Sequence, residues 1–133
     1  MPATTSLNNT GYQINTGKES VVIKKYEDGY EGGRSLDVTG FVPTVISAGH
    51  VIIMETSTKT FKPMPLAAGE AAYAALPAGH EYVGILVASV TKEKPMAAIL
   101  TKGTINPNAT PVPMTAILAA FKTAKPLIDW RAD

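Results

Sequence analysis

The chain has 133 residues, of which 45% are hydrophobic and 17% are charged, a composition typical of one globular domain with its own core. Its formal net charge of +1 argues against a dedicated nucleic-acid binder, because such proteins carry a basic face or stripe. Cysteine is absent, which excludes disulfides, thiolate metal sites and cysteine nucleophiles. No apolar run is long enough to span a membrane, and the first residues show no secretory signal, so we expect no membrane partner.

Residues 1–17 are mostly threonine, serine and asparagine. Such a segment is too polar to form a core, so we predict an extended N-terminal arm that a partner or a neighbouring subunit holds in place. The apolar residues of this arm, Leu7, Tyr12 and Ile14, are the candidates for that contact.

Residues 20–26 have the composition of a β-strand. Two interpretations remain open: an ordinary strand of the domain's own sheet, or a strand that adds to the sheet edge of a partner, a contact that needs little side-chain specificity. The candidate partner-binding residues of arm and strand together are Leu7, Tyr12, Ile14, Val21, Val22, Ile23, Lys24, Lys25 and Tyr26.

A glycine-rich segment follows this strand. It superficially resembles a phosphate-binding loop, but Arg34 stands where the pattern requires glycine and no Lys-Ser/Thr pair follows. We therefore predict a turn with positive φ at Gly29, Gly32 and Gly33. Arm and turn together make residues 1–35, and the β-rich domain is expected over residues 36–133.

Two pairs of apolar segments predict most of the sheet. Residues 51–54 are expected to form a short buried strand that pairs with residues 58–64 across a polar hairpin tip. Residues 82–90 and 96–105 form two longer apolar runs joined by a charged turn. Gly84 and Gly103, inside and at the end of a run, predict a bulge or a close approach of two backbones.

Residues 67–79 are rich in alanine and are predicted to be a surface excursion, with at most one helical turn. The sequence Ala-Gly-His occurs on either side of the hairpin, at residues 48–50 and 78–80, each time before a strand. We interpret this as the same turn used twice, and not as a repeat architecture.

The C-terminal part predicts one helix over about residues 111–125. Met114, Ile117, Leu118 and Phe121 recur at helical spacing and form one apolar stripe, with Thr110 as a possible N-cap. The tail that follows should dock on its own domain or on a neighbour, through Leu127, Ile128 and Trp130.

Residues suited to catalysis or metal binding are few. His50 and His80 each begin a strand, lack the spacing of metal ligands, and are interpreted as partly exposed histidines at strand ends. We predict no cofactor, no bound metal and no enzymatic activity. A small hydrolase would require a cleft that joins one of these histidines to a carboxylate.

These observations predict the fold class α+β: a small, mostly antiparallel β domain, similar to a barrel or sandwich, with one C-terminal helix and an extended N-terminal arm. By elimination the chain is expected to be a structural or binding module.

The order of several motifs resembles a known family. They are Gly-Gly-Arg-Ser-Leu-Asp-Val-Thr-Gly at 32–40, Val-Ile-Ser-Ala-Gly-His-Val-Ile at 45–52, Tyr-Val-Gly-Ile-Leu at 82–86, and Ala-Ile-Leu-Thr-Lys-Gly-Thr-Ile-Asn at 98–106 before a final helix. This order is similar to that of tailed-phage head decoration and head-fibre proteins, the lambda-type capsid decoration domain, especially those of phages and prophages of Bacteroides-like bacteria. The segment before the first turn is longer here than in lambda-type proteins.

The resemblance implies a structural virion protein without catalysis. Such a protein is made in the cytoplasm of the bacterial host and binds as a homotrimer to the outer face of the capsid. It would bridge capsomers through an arm that adds to strands of the major capsid protein. Other head-fibre or auxiliary capsid proteins are further partners that the resemblance implies. The alternative is a binding module, such as a fibre base or a glycan-attachment domain, displayed on the virion.

Overall fold

The computed structural model describes residues 19–132, and side chains from residue 21 onward. The predictions for Leu7, Tyr12 and Ile14 lie outside the described residues. In chain order the elements are α1 (Glu19–Val22), β1 (Ile23–Gly29), β2 (Arg34–Ser35), β3 (Val45–Ile46), β4 (Val51–Glu55), β5 (Thr60–Pro63), β6 (His80–Leu86), β7 (Val90–Thr91), β8 (Met96–Ala97), β9 (Ile99–Ile105), α2 (Leu118–Ala124) and β10 (Ile128–Trp130).

One six-stranded sheet dominates the fold. Its order is β1-β9-β6-β4-β5, and β10 pairs with β9 beside this path. All of its pairings are antiparallel except the parallel pairing of β10 with β9. Two small antiparallel pairs, β2–β8 and β3–β7, complete the structure. The prediction of a mostly antiparallel β domain with a C-terminal helix, in the α+β class, is confirmed.

The sheet is covered with apolar side chains on both faces. Along β4, Val51 and Ile53 belong to one buried cluster, and Ile52 and Met54 belong to another. Alternate residues of a strand point to opposite faces, so the two clusters lie on opposite sides of the sheet. This explains why β4 has an uninterrupted apolar run and not an alternating one.

The predicted hairpin is confirmed, and the two long apolar runs also pair with each other in the sheet. β4 pairs with β5 in the register Ile52↔Pro63 to Glu55↔Thr60, and β6 pairs with β9 at Ile85↔Leu100. Lys59, in the hairpin turn, has a φ of 60°, which is unusual for a residue with a side chain.

Two glycines lie where neighbouring backbones come too close for a side chain. A Cβ built on Gly84 would lie 2.0 Å from the carbonyl oxygen of Leu100, and one on Gly103 would lie 2.2 Å from that of Lys25. Both predicted close approaches are confirmed. In the glycine-rich turn, Gly32 and Gly33 have the predicted positive φ.

Gly29 does not have the predicted positive φ. It is the last residue of β1, and its Cβ would lie 2.2 Å from the carbonyl oxygen of Ile99. Glycine is required there because two strands meet, and not because the chain turns left-handed.

The C-terminal helix is shorter than predicted. It begins at Leu118, although its stripe is buried as expected, with Met114, Ile117 and Phe121 all in the core. Pro113 disfavours helical backbone at Val112, and the residues between Pro113 and the helix form a turn in which Ile117 N–H donates to Met114 O at 3.0 Å. Thr110 caps no helix, and its hydroxyl lies 2.9 Å from the carbonyl oxygen of Val112. No helix among residues 19–132 is long and apolar enough to cross a membrane.

The alanine-rich segment contains no helical turn, which agrees with the prediction of at most one. It is held by Tyr73, which is 3% exposed and whose hydroxyl accepts a hydrogen bond from the backbone N–H of Val51 at 3.1 Å. The repeated turn is confirmed. His50 N–H donates to Ser47 O at 3.1 Å and His80 N–H donates to Pro77 O at 3.3 Å, with a glycine of positive φ third in each turn.

Candidate functional site

The first candidate surface is the edge of the main sheet formed by β1. From Lys24 to Asp28 every residue of this strand is exposed, so both of its faces meet solvent, whereas four of the five residues of β4 are buried. Among residues 19–132, β1 pairs only with β9. Tyr26, which is 53% exposed, is the largest apolar group on this edge.

The edge is irregular and charged. Its register against β9 shifts at three places, between Ile23 and Lys25, between Tyr26 and Asp28, and between Asp28 and Gly29. Lys25 forms an exposed salt bridge with Glu27 at 3.4 Å, an interaction of little net strength. Bulges and lysines on an edge strand discourage indiscriminate pairing with other strands.

The structure corrects the prediction for the first residues of this strand. The strand begins at Ile23 and not at Ser20, because Val21 and Val22 belong to the helical turn α1. Val22 is completely buried, so its side chain packs in the domain's own core and is not available to a partner. Val21 is 49% exposed and remains available. Of the two interpretations of this segment, pairing within the chain is confirmed.

The C-terminal tail docks on the same strand as β1. Ile128 pairs with Gly103 and Trp130 pairs with Ile105, while Tyr26 and Ile23 occupy the opposite side of the same two β9 residues. The structure therefore brings the described part of the arm and the tail together on either side of β9.

The three tail residues differ in what they contribute. Ile128 is buried, Trp130 packs edge-on against Phe121 with ring centroids 5.6 Å apart, and Leu127 is 64% exposed. The tail thus docks on its own domain, one of the two predicted possibilities, and leaves Leu127 for other contacts. The indole N–H of Trp130 is buried without an acceptor among the described residues, an uncommon arrangement in a folded protein.

The second candidate surface is a groove, which sequence reasoning missed. It consists of a larger cavity of about 530 Å³ and a smaller one of about 180 Å³. The two share four lining residues, Phe41, Pro43, Leu66 and Glu70, and therefore form one continuous depression. The lining comes from loops around residues 37–43, 62–70 and 77–80, which are distant in the sequence.

One wall of the groove carries a small polar cluster. His80 Nδ1–H donates to the carbonyl oxygen of Ala78 at 2.9 Å, so its Nε2 accepts from Lys62 Nζ at 3.3 Å. Lys62 Nζ also lies 3.4 Å from a carboxylate oxygen of Glu55. Hydrogen bonds from the Thr58 hydroxyl and then from Lys62 lower the pKa of Glu55.

This cluster bears on the hydrolase alternative. His80 shares the groove with the carboxylates of Asp37 and Glu70, as that alternative requires. However, both ring nitrogens of His80 are engaged, one as a donor to a carbonyl and one as an acceptor from an ammonium group. A general base needs a nitrogen that faces the proton it removes, so this arrangement favours a structural role.

His50 is not the partly exposed histidine that the sequence suggested. It is 2% exposed and stacks edge-on between Phe41 and Tyr73, at centroid distances of 5.4 and 5.2 Å. Its Nε2–H donates to the carbonyl oxygen of Met64 at 2.9 Å. Burial lowers the pKa of His50 to about 4, so the ring is neutral at pH 7. Within residues 19–132 no three His, Asp or Glu side chains are grouped to hold a metal ion.

The chain matches no known family model, no curated protein and no solved structure.

Proposed function

We propose that the protein is a structural component of a phage virion, a head decoration or head-fibre protein on the outer face of the capsid. The observation that carries this proposal is the position of β1: the residues that follow the N-terminal arm form an exposed sheet edge that carries Tyr26, and the exposed Val21 lies just before it in α1. An exposed edge beside a polar arm suits strand addition, in which backbone hydrogen bonds supply the affinity.

The proposed mechanism is mechanical and involves no catalysis. The domain links neighbouring capsomers. It is a barrel-like unit, in which an isolated β-bridge between Leu36 and Phe61 extends the sheet beyond β5. Three copies form a homotrimer, and the major capsid protein is the partner of each arm. The exposed Leu127 supplies a further contact to a neighbouring subunit or to another auxiliary capsid protein.

Virion composition tests the proposal directly. Heads purified from a phage or induced prophage that encodes this chain should contain the protein in a fixed ratio to the major capsid protein, measured by quantitative mass spectrometry. Absence from purified heads would refute the proposal. Light scattering at high protein concentration tests whether the protein forms a homotrimer in solution. A protein that is monomeric in solution and also on the capsid would exclude the homotrimer.

A pair of exposed substitutions tests which surface binds. Purified Tyr26→Asp protein should lose at least roughly tenfold in affinity for heads that lack the protein, as measured by co-sedimentation, because a buried unpaired charge at an interface is costly. Val42→Asp is the matched control, since Val42 is 72% exposed and lies on the groove.

The second candidate is a binding module displayed on the virion, and the groove is the observation that favours it. A cavity of about 530 Å³ is within the usual size of small-ligand sites. If Val42→Asp abolishes attachment to a host cell or a glycan while Tyr26→Asp does not, this second function is the correct one.

A further inference from the structure

We propose that β1 pairs with β1 of a second copy of this chain, antiparallel and about a two-fold axis that passes through Tyr26. The inference goes beyond the proposed virion role, because it concerns the protein in solution and requires no capsid. Three observations carry it: the direction of the backbone groups at Tyr26, the order of charges along the strand, and the face that two of those charges share.

The backbone of β1 faces away from the sheet at Tyr26. Lys25 pairs with Thr104 and Tyr26 pairs with Gly103, and no register shift falls between these two pairs. The carbonyl oxygen of Lys25 lies on the β9 side, because a Cβ built on Gly103 would lie only 2.2 Å from it. The N–H and C=O groups of successive strand residues point to alternate sides, so those of Tyr26 point away from β9. Two copies that meet at Tyr26 can therefore exchange two N–H···O bonds, the repeating unit of an antiparallel ladder.

The charges of β1 are symmetric about Tyr26. Two lysines precede it and two acidic residues follow it, in the order Lys24, Lys25, Tyr26, Glu27, Asp28. In an antiparallel pair centred on Tyr26, Lys25 lies opposite Glu27 of the second copy. Lys24 lies opposite Asp28 of the second copy, and the axis repeats both pairs. Opposite charges directly across two strands stabilise their pairing, so all four matched pairs favour this arrangement.

Other registers of the same two strands bring like charges together. A two-fold axis between antiparallel strands is perpendicular to the sheet and keeps each side chain on its own face, so the axis passes through a residue and not between two residues. An axis through any of the four charged residues would place that residue opposite its own copy. Parallel pairing in register would do so for all four. Like charges directly opposite each other are destabilising, so the sequence specifies the register centred on Tyr26.

The two faces of the paired strands differ in character. Lys25 and Glu27 project from one face, as their salt bridge of 3.4 Å shows, and their side chains are 69% and 37% exposed. Across the axis these two residues and their copies form a ring of four alternating charges. Tyr26, which is 53% exposed, lies opposite Tyr26 of the second copy, and an aromatic cross-strand pair stabilises antiparallel strands. A second copy therefore fits this edge both in charge and in apolar contact.

A contact of this kind closes at two copies. Both copies use the same patch, so each has one partner and no third copy can add to it. The homotrimer proposed above must therefore use another surface. A strand of the capsid protein would compete with the second copy for β1.

Charge reversal in the full chain tests the pairing, by sedimentation velocity at low ionic strength over a range of protein concentrations. We expect the natural chain to form dimers. Lys25→Glu places acidic groups opposite each other and Glu27→Lys places lysines opposite each other, so each variant alone should raise the dimer dissociation constant roughly tenfold. Lys122→Glu makes the same change of net charge as Lys25→Glu on an exposed residue of α2, and it should leave the constant unchanged.

A mixture of the two variants distinguishes pairing between copies from the salt bridge within one chain. Equimolar Lys25→Glu and Glu27→Lys proteins present opposite charges to each other although neither chain keeps its own bridge, so they should form a heterodimer as readily as the natural chain forms its dimer. A chain that carries both substitutions should dimerise again. A natural dimer that neither single substitution weakens, or that the mixture does not restore, would overturn the proposal. Trimers of the natural chain in place of dimers would overturn it as well.

Disulfide trapping decides the question if the dimer is too weak to be seen by sedimentation. The chain contains no cysteine, so Tyr26→Cys places a single thiol on the axis. Opposite residues of a hydrogen-bonded antiparallel pair have Cα atoms about 5.5 Å apart, within the range of a disulfide. Tyr26→Cys should form covalent dimers roughly tenfold faster than Val42→Cys, a more exposed position outside β1. Equal rates of oxidation would overturn the proposal.

Discussion

The buried imidazole of His50 predicts a specific loss of stability in mild acid. Burial lowers its pKa to about 4 in the folded protein, against 6.5 for an accessible histidine, which we take for the unfolded chain. Above pH 6.5 the His50 ring is neutral in both the folded and the unfolded state, and the free energy of unfolding has its full value. Between pH 6.5 and 4 the unfolded state binds a proton that the folded state does not, so the free energy of unfolding falls as the pH falls. Below pH 4 both states are protonated and this loss ends.

The size of the loss follows from the two pKa values. At about 1.36 kcal/mol per pH unit, a difference of about 2.5 units corresponds to a loss of about 3 kcal/mol by pH 4. That is a large part of the stability of a domain of this size, which is typically about 5–15 kcal/mol. Asp37, whose pKa is lowered chiefly by the Thr39 hydroxyl, contributes a separate loss at lower pH.

Urea unfolding between pH 7 and 4, for the natural chain and for His50→Gln, is the measurement. Glutamine keeps an amide donor for the carbonyl of Met64 but does not titrate, so its curve should lack the loss that His50 causes between pH 6.5 and 4.5. If the two proteins lose stability in parallel over this range, the reasoning is wrong. If His50→Gln does not fold, NMR titration of the natural protein decides, because a His50 ring that protonates near pH 6.5 contradicts the prediction equally.

Two further substitutions test the packing that positions the edge. Phe121→Ala removes a fully buried ring that contacts Tyr82 and Trp130, so the free energy of unfolding measured by chemical denaturation should fall by about 3–5 kcal/mol. Lys122→Ala, on the exposed face of α2, is the control and should change it by less than about 0.5 kcal/mol. Gly84→Ala should destabilise by about 1–3 kcal/mol or more, because its methyl would meet the carbonyl of Leu100 at 2.0 Å; an unchanged urea midpoint would mean that β6 and β9 do not approach this closely.

The parts of the fold that follow from local chemistry were predictable. The hairpin between β4 and β5 was predictable because a polar tip separates two apolar runs. The close approaches at Gly84 and Gly103 were predictable because glycine weakens a strand and is found inside one mainly where a neighbouring backbone leaves no room for a side chain. The two Ala-Gly-His turns were recognisable because only glycine adopts positive φ without strain.

The parts that depend on distant residues were not predictable. The burial of His50 requires the carbonyl of Met64, fourteen positions away, and no local pattern signals such a bond. The anchoring of the alanine-rich segment depends on one Tyr73 hydroxyl, which the composition of the segment concealed. The groove is assembled from segments that are distant in the sequence, among them residues 37–43, 62–70, 77–80 and 111–112, so its lining appears only when the fold brings them together.

The arrangement around β9 bears on how the arm is joined to the domain. Ile23, Ile105 and Trp130 lie at the same end of three adjacent strands. The first β1–β9 pair, counted from the N-terminal side of β1, is therefore Ile23 with Ile105. The residue before Ile23 closes this end: Val22 is buried, and its carbonyl accepts a hydrogen bond from Asn106 N–H at 2.8 Å. Val22 thus anchors the N-terminal end of β1 both to the core and to the residue that follows β9.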